Sequence, residues 1–236
     1  MSIISIHIEK AGYEPDEAKI QDIEFSINKK EMIGLIGANG AGKSTTIKSI
    51  LGIIPYLQGN MNMNENVKIS YLPERPVFYD ELTLQEHIDF ITSVEQIGDD
   101  ATKRTSPLLE LFQMDKHIHE LPATYSKGMQ QKAMIILALM TEPDLLIIDE
   151  PFMGLDPIAT KQLLDIIQQE RDRGAGILMC THVLDTAEKI CDRFVLLNLG
   201  QQLTAGTLAD LREACMLPEA TLFDCYHHLI NGDNHE

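Results

Sequence analysis

The sequence predicts an α/β fold: a mostly parallel sheet, an antiparallel β part at the N-terminus, and an inserted helical subdomain. Three observations carry this prediction. Short apolar segments with partial or strict alternation open the chain, at Ile3–Ile8 and Ile23–Ile27. Residues 79–142 show helical periodicity without strands. From Leu145 onward, continuous apolar runs alternate with helical stretches, as expected of a sheet covered on both faces.

Taken in order, Ile3, Ile6 and Ile8 mark one strand, Ile23, Phe25 and Ile27 a second, and the apolar run Met32–Ile36 a third. Ile47, Ile50, Leu51 and Ile54 then recur at i, i+3, i+4 and i+7, which is one face of a helix, and Pro55 stops it. Gln58–Lys68 is polar and rich in Asn and Met, and reads as a loop or irregular hairpin. Val67–Leu72 reads as a strand closed by Pro73 and Pro76. Helical pieces follow at Leu84–Val94, Ser106–Phe112 and Gly128–Met140.

Leu145–Ile148 is a fully apolar strand. Asp156 caps the next helix, with Pro157 in its first turn, and Gly174 ends it. Ile177–Cys180 predicts a strand, Leu184–Cys191 a helix and Phe194–Leu197 a further strand. In the tail, Leu222, Phe223, Tyr226, Leu229 and Ile230 share a helical face, read as packing on the domain; a partner-binding helix is the other reading. The whole chain, 1–236, is expected to form one domain. Its core comprises 1–78 and 143–205, its helical subdomain 79–142 and its helical tail 206–236.

The composition limits the function classes. With 36 acidic and 19 basic residues the formal net charge is −17, which disfavours nucleic acid and unaided adhesion to anionic membranes. No run approaches the ~18–20 apolar residues of a membrane span. The first residues lack the basic region and cleavage pattern of a signal peptide. Cys180, Cys191, Cys215 and Cys225 are widely spaced and contain no CxxC, as expected of reduced thiols in a cytosolic protein. His117/His119 and His227/His228 lack the spacing and acidic companions of a metal site.

The chemistry begins at Gly37-Ala38-Asn39-Gly40-Ala41-Gly42-Lys43-Ser44-Thr45, a G-x-x-x-x-G-K-[ST] pattern between an apolar strand and a helix. Such a P-loop binds a nucleoside triphosphate. Its glycines let the backbone N–H groups face the phosphates, and the helix N-terminus adds partial positive charge. Lys43 reaches the β- and γ-phosphates and Ser44 offers a hydroxyl to Mg²⁺. Asp149, at the end of the apolar run Leu145–Ile148, is placed to hold Mg²⁺ directly or through water. Glu150 follows, where it could polarise an attacking water. His182, just beyond the next apolar strand, is placed to approach the γ-phosphate; alone it also fits a structural histidine. In Tyr125–Lys132, Ser126 can cap an apolar helix and Gly128 allows a phosphate near its N-terminus. By itself that segment is equally an ordinary capped helix.

Together Gly37–Thr45, Tyr125–Lys132, Leu145–Glu150, Gly154-Leu155-Asp156-Pro157 and His182 resemble the Walker A, signature, Walker B, D-loop and H-switch of an ABC-type ATPase, in order and spacing over essentially the whole chain. The resemblance implies the ABC ATPase fold, a P-loop NTPase core with ATP and Mg²⁺ as cofactors. The segments Tyr125–Met129, Tyr71-Leu72-Pro73-Glu74 and Thr207–Arg212 are most similar to the ATP-binding subunits of Ecs-type bacterial exporters.

The family pairs two such domains head to tail on a separate transmembrane permease, at the cytoplasmic face of the membrane. By that resemblance Ser126 and Gly128 touch the γ-phosphate across the dimer and Asp156 communicates between sites. Glu150, His182 and Lys43 are catalytic, and Tyr13 stacks on adenine. The Q-loop position is Glu74 rather than an amide, so an acid faces Mg²⁺ there. Lys127 stands where the signature usually has glycine, and Gly59–Lys68 is shorter than the family's hairpin.

Two other functions compete. A soluble ABC ATPase of translation or DNA maintenance would carry two motif sets or a long coiled coil. This chain shows one set and no heptads. A nucleotide-sensing regulator would not need Glu150 and His182.

Overall fold

The computed structural model describes residues 1–98, 100–152 and 154–232. β1 (Ser2–Glu14) and β2 (Glu17–Asn28) pair antiparallel, with Ile6 opposite Phe25 and Ile8 opposite Ile23, so the alternating isoleucines of both strands enter one core. β3 (Met32–Ile36) is buried at every residue. It leads into α1 (Lys43–Ile50), whose Ile47 and Ile50 pack against the β1–β2 sheet face.

α1 ends at Ile50, short of the Leu51 and Ile54 positions that the periodicity assigned to it, and Gln58–Lys68 also departs from the sequence-based expectation. β4 (Tyr56–Met63) is a strand, paired antiparallel with β1 from Gly12–Tyr56 to Ile4–Met63. It lies at the sheet edge and half-buries only Leu57 and Met61. An edge strand exposed along most of its length needs no apolar alternation, so its Asn and Gln residues hid it. β5 (Ile69–Leu72) follows, two residues later than the sequence suggests.

The helical subdomain holds α2 (Leu84–Val94), α3 (Asp100–Leu111) and α4 (Lys127–Leu139). α2 starts in a reciprocal cap between Thr83 and Glu86, and α4 is capped by Ser126. α3 begins well before the expected Ser106 and runs through Pro107, with Ala101, Thr105 and Leu109 buried on one side. Burial of that side outweighs the hydrogen bond that Pro107 cannot donate.

β6 (Leu145–Asp149), α5 (Pro157–Arg173), β7 (Gly176–Thr181), α6 (Leu184–Ile190) and β8 (Arg193–Asn198) complete the alternating part. Two elements have no counterpart in the sequence-based expectation: β9 (Gln201–Gly206), a polar strand antiparallel to β8, and α7 (Leu208–Cys215). α8 (Leu222–Gly232) packs on α6 and α7, as expected, but its buried face is Leu222 and Cys225 with Tyr226 and Leu229 alongside. Phe223, placed on that face by periodicity, is 55% exposed.

Among the described residues one sheet of nine strands has the order β4-β1-β2-β9-β8-β3-β7-β6-β5. The run β8-β3-β7-β6-β5 is parallel throughout; beyond β8 the pairs β8–β9, β2–β1 and β1–β4 are antiparallel, with β2 and β9 joined in parallel. This arrangement brings the C-terminal ends of β3, β6 and β7 to one edge, where ligands bind in open α/β sheets.

Candidate nucleotide site

β3 lies inside the sheet, between β7 and β8, so the loop leaving it is flanked by parallel strands on both sides. Gly40 and Gly42 take positive φ of 83° and 106°, a conformation that L side chains rarely adopt. Gly37 is held differently: a Cβ there would lie 2.7 Å from that of Ala41 and 2.9 Å from the Leu197 carbonyl. α1 starts at Gly42 with no side-chain cap and no acid in its first turn, which leaves its backbone N–H groups to an anion. The Lys43 ammonium donates to the carbonyls of Gly37 at 2.7 Å and Ala38 at 3.2 Å, and so lies folded over the loop.

Ser44 Oγ donates to Asp149 Oδ2 at 3.4 Å. Asp149, at the tip of β6, is buried, and burial first, then the Glu150 and Glu74 charges, push its carboxyl up from the ordinary aspartate range. Lys43 and Ser44 pull it partly back. The neighbouring Tyr71 phenol on β5 is pushed up by burial and by Asp149. Glu150 has a positive φ of 47°, and its N–H donates to the Cys180 carbonyl at 2.9 Å. A glutamate in the left-handed region costs about 1–2 kcal/mol and persists where its surroundings hold it. Here the turn aims its carboxylate at His182, whose Nδ1 lies 2.8 Å from Oε1.

A cleft of about 330 Å³ is lined by Tyr13, Lys19, the loop residues Ala38–Gly40 and Gly42–Thr45, Glu74, Asp149 and Glu150. Tyr13 is 44% exposed, and Lys48 sits at its hydroxyl, 3.1 Å away, and over its ring. Lys19 is a polar group of this cleft that sequence reasoning missed; it belongs to no motif, and only the sheet order brings it to this edge. Tyr71, in the segment that precedes Glu74, was not expected to stand beside Asp149.

Ser126, Gly128 and Asp156 do not enter this cleft. Ser126 Oγ accepts from the Met129 N–H at 3.3 Å, and a Cβ on Gly128 would lie 3.1 Å from the Gly154 carbonyl. Asp156 Oδ1 accepts from the N–H groups of Ile158 and Ala159, both at 2.9 Å, which with Lys132 at 3.9 Å holds its carboxyl below the usual range. Lys127 and Gly154 line a second cleft together with Arg75 and Gln131. Glu74 faces both clefts.

Ser44, Asp149 and Glu74 offer only hard oxygen donors, which suits Mg²⁺ rather than a softer metal. Among the described residues no group of three or more His, Cys, Asp or Glu forms a metal cage of its own. A Mg²⁺ held by one or two carboxylates and completed by phosphate oxygens fits that donor set.

Comparison with known proteins agrees with this geometry. A family model described as ABC transporter matches residues 20–153. An uncharacterized ABC transporter ATP-binding protein of Bacillus subtilis, YthP, is 48% identical over 98% of both chains. EcsA, an ABC-type transporter ATP-binding protein of the same organism, is 40% identical over 99% of this chain and 98% of its own. Its linearmycin resistance ATP-binding protein LnrL is 33% identical over 81% of this chain and 65% of its own. The structure of an ATP-binding subunit of an ABC transporter superposes with a TM-score of 0.92 at 39% identity, covering 97% of this chain and all of that one. The chain therefore belongs to the ABC transporter ATP-binding proteins, which bind ATP and hydrolyse it to power transport.

Proposed function

We propose that this ATPase subunit drives an exporter from the cytoplasmic face of a membrane, with its ATP site completed by a second ATP-binding domain. Subunits of this family pair with membrane permeases and dimerise. Among the described residues no helix is long and apolar enough to cross a membrane. The separation of Ser126 and Gly128 from the P-loop cleft supports a shared site: one copy's Lys43 and Ser44 would hold ATP, and the partner's signature helix would close it. The likeness to a resistance ATP-binding protein supports outward transport.

The contact between Glu150 and His182 carries the mechanistic reading. The N–H groups of Gly40–Thr45 and the ammonium of Lys43 bind the phosphates. Tyr13 offers its exposed ring to adenine. Ser44 and Asp149, with Glu74 beside them, would hold Mg²⁺, which when bound neutralises charge on the β- and γ-phosphate oxygens. Glu150 orients and polarises water for attack on the γ-phosphate. His182 holds the Glu150 carboxylate and meets the γ-phosphate, and Asp156 faces the partner's site.

Val77 and Tyr79, 72% and 59% exposed, lie with Phe90 beside a groove of about 480 Å³, a few residues along the chain from Glu74. Apolar residues this exposed, so close to a residue that faces the nucleotide cleft, suit a permease contact that senses ATP. The test is purification from membranes with Tyr79→Asp or Phe90→Asp. Loss of a co-purifying membrane protein, with ATP binding intact, supports the reading. Capture of ribosomes or DNA and no membrane protein would refute it.

A further inference from the structure

The loop that holds ATP is fastened from behind by the C-terminal helix. Tyr226 Oη accepts a hydrogen bond from the Ala38 N–H at 2.7 Å and donates to the Leu197 carbonyl at 3.4 Å, at the end of β8. The hydroxyl thus uses its donor and acceptor sides on two backbone segments that are 188 and 29 residues distant in sequence. The packing of its own helix fixes its position. Leu222 and Cys225, on that helix, are buried against Leu211, Cys215 and Ala187. Thr221 and Asp224 cap the helix reciprocally, and Glu188 accepts from the Leu222 N–H at 2.7 Å.

The other side of the same peptide units holds the catalytic lysine. Lys43 Nζ donates to the carbonyls of Gly37 and Ala38. The peptide joining Gly37 to Ala38 therefore has its carbonyl on Lys43 and its N–H on Tyr226. Rotation of that unit moves both contacts together, because the peptide group is planar.

We propose that Tyr226 is a positioning residue of the ATP site. By fixing the peptide between Gly37 and Ala38, it sets where the Lys43 ammonium stands, and it makes the C-terminal helix part of the nucleotide-binding machinery. The proposal rests on the phosphate-binding role assigned to Lys43. Burial pushes the Tyr226 phenol up, so it remains a neutral donor at physiological pH.

The test is Tyr226→Phe, which keeps the ring and its packing and removes only the hydroxyl. Binding of a fluorescent N-methylanthraniloyl ATP is measured beside Lys43→Ala, with thermal unfolding and amide hydrogen exchange of the P-loop peptide. An unpaired N–H and a looser lysine predict about three- to tenfold weaker nucleotide binding, on the scale of one lost hydrogen bond. Exchange at Ala38 and Asn39 should quicken while the unfolding midpoint stays close to that of the parent protein. If Lys43→Ala abolishes binding and Tyr226→Phe leaves both affinity and exchange unchanged, Tyr226 has no positioning role. A lowered unfolding midpoint in Tyr226→Phe with unchanged affinity would equally exclude that role. If Lys43→Ala itself leaves binding intact, the phosphate role of Lys43 fails first and the proposal falls with it.

Discussion

His182 Nδ1 stands 2.8 Å from Oε1 of Glu150, and the backbone of Glu150 is held in the left-handed region to make that contact. The two residues follow adjacent parallel strands, β6 and β7, so sheet register sets their separation. The water-polarising role proposed for Glu150 needs a carboxylate held in place, and this contact supplies the hold.

Glu150→Gln removes the charge and keeps the shape. Turnover should fall at least about a hundredfold, at the lower end of a general base's contribution, with ATP affinity nearly unchanged. His182→Ala should also lower turnover, by less, because the carboxylate remains but loses its holder. Steady-state hydrolysis and equilibrium nucleotide binding, measured on both variants, check this. Equal losses of binding and turnover in Glu150→Gln would argue against a water-polarising role.

Asp149 predicts an opposition between stability and function. Its carboxyl is raised in the folded state by burial and by its acidic neighbours. A group with a raised folded pKa binds more protons folded than unfolded, so its contribution to stability is lost as pH rises from the unfolded aspartate value through the raised one. Asp149 therefore supports the fold less as pH rises through that window, unless a cation pairs with it. Asp149→Asn should raise the unfolding midpoint of the nucleotide-free protein and abolish the added stabilisation by Mg²⁺ with ATP. Thermal unfolding at pH 7 and near pH 4.5 measures both effects. The gain from Asp149→Asn should shrink at the lower pH.

Ser126 caps α4, and the proposed shared site gives it a second, separable duty. Ser126→Ala deletes the α4 cap and should cost about 1 kcal/mol. Ser126→Asp retains an oxygen acceptor for the cap but sets a negative charge where the γ-phosphate of a partner's ATP would lie. It should keep the stability of the parent and still lose ATP-dependent dimerisation. Chemical unfolding with light scattering separates the two. A stable Ser126→Asp protein that dimerises normally would remove Ser126 from the shared site.

The elements that bury one continuous face were legible in the sequence. α2 runs from Leu84 to Val94 as periodicity predicts, and Asp156 and Ser126 cap the helices they were expected to cap. β4 and β9 were not: β4 is largely solvent-facing, and β9, half-buried between β2 and β8, carries polar and small residues in place of an apolar run. The second of these regions does carry local signals: Leu199-Gly200 turns the β8–β9 hairpin with both residues at positive φ, and Thr207 with Asp210 caps α7. Phe223 was misplaced because helical periodicity gives a face, and only neighbouring elements decide how wide it is. In the site, the P-loop and the two acids were readable because local chain geometry makes them. The contacts of Tyr226 with Ala38 and of Tyr71 with Asp149 join distant segments, and no local pattern announces them.

The proposed shared ATP site rests on one division: this chain holds Lys43 and Ser44 at one cleft and Ser126 and Gly128 away from it. Light scattering of the Glu150→Gln protein with Mg²⁺ and ATP puts that division to the test, since slowed hydrolysis should keep the closed state populated. The expected result is a doubling of mass that needs ATP, with two nucleotides retained per dimer, and its loss when Ser126→Asp is added. A protein that binds ATP and stays monomeric at every concentration tested would contradict a shared site.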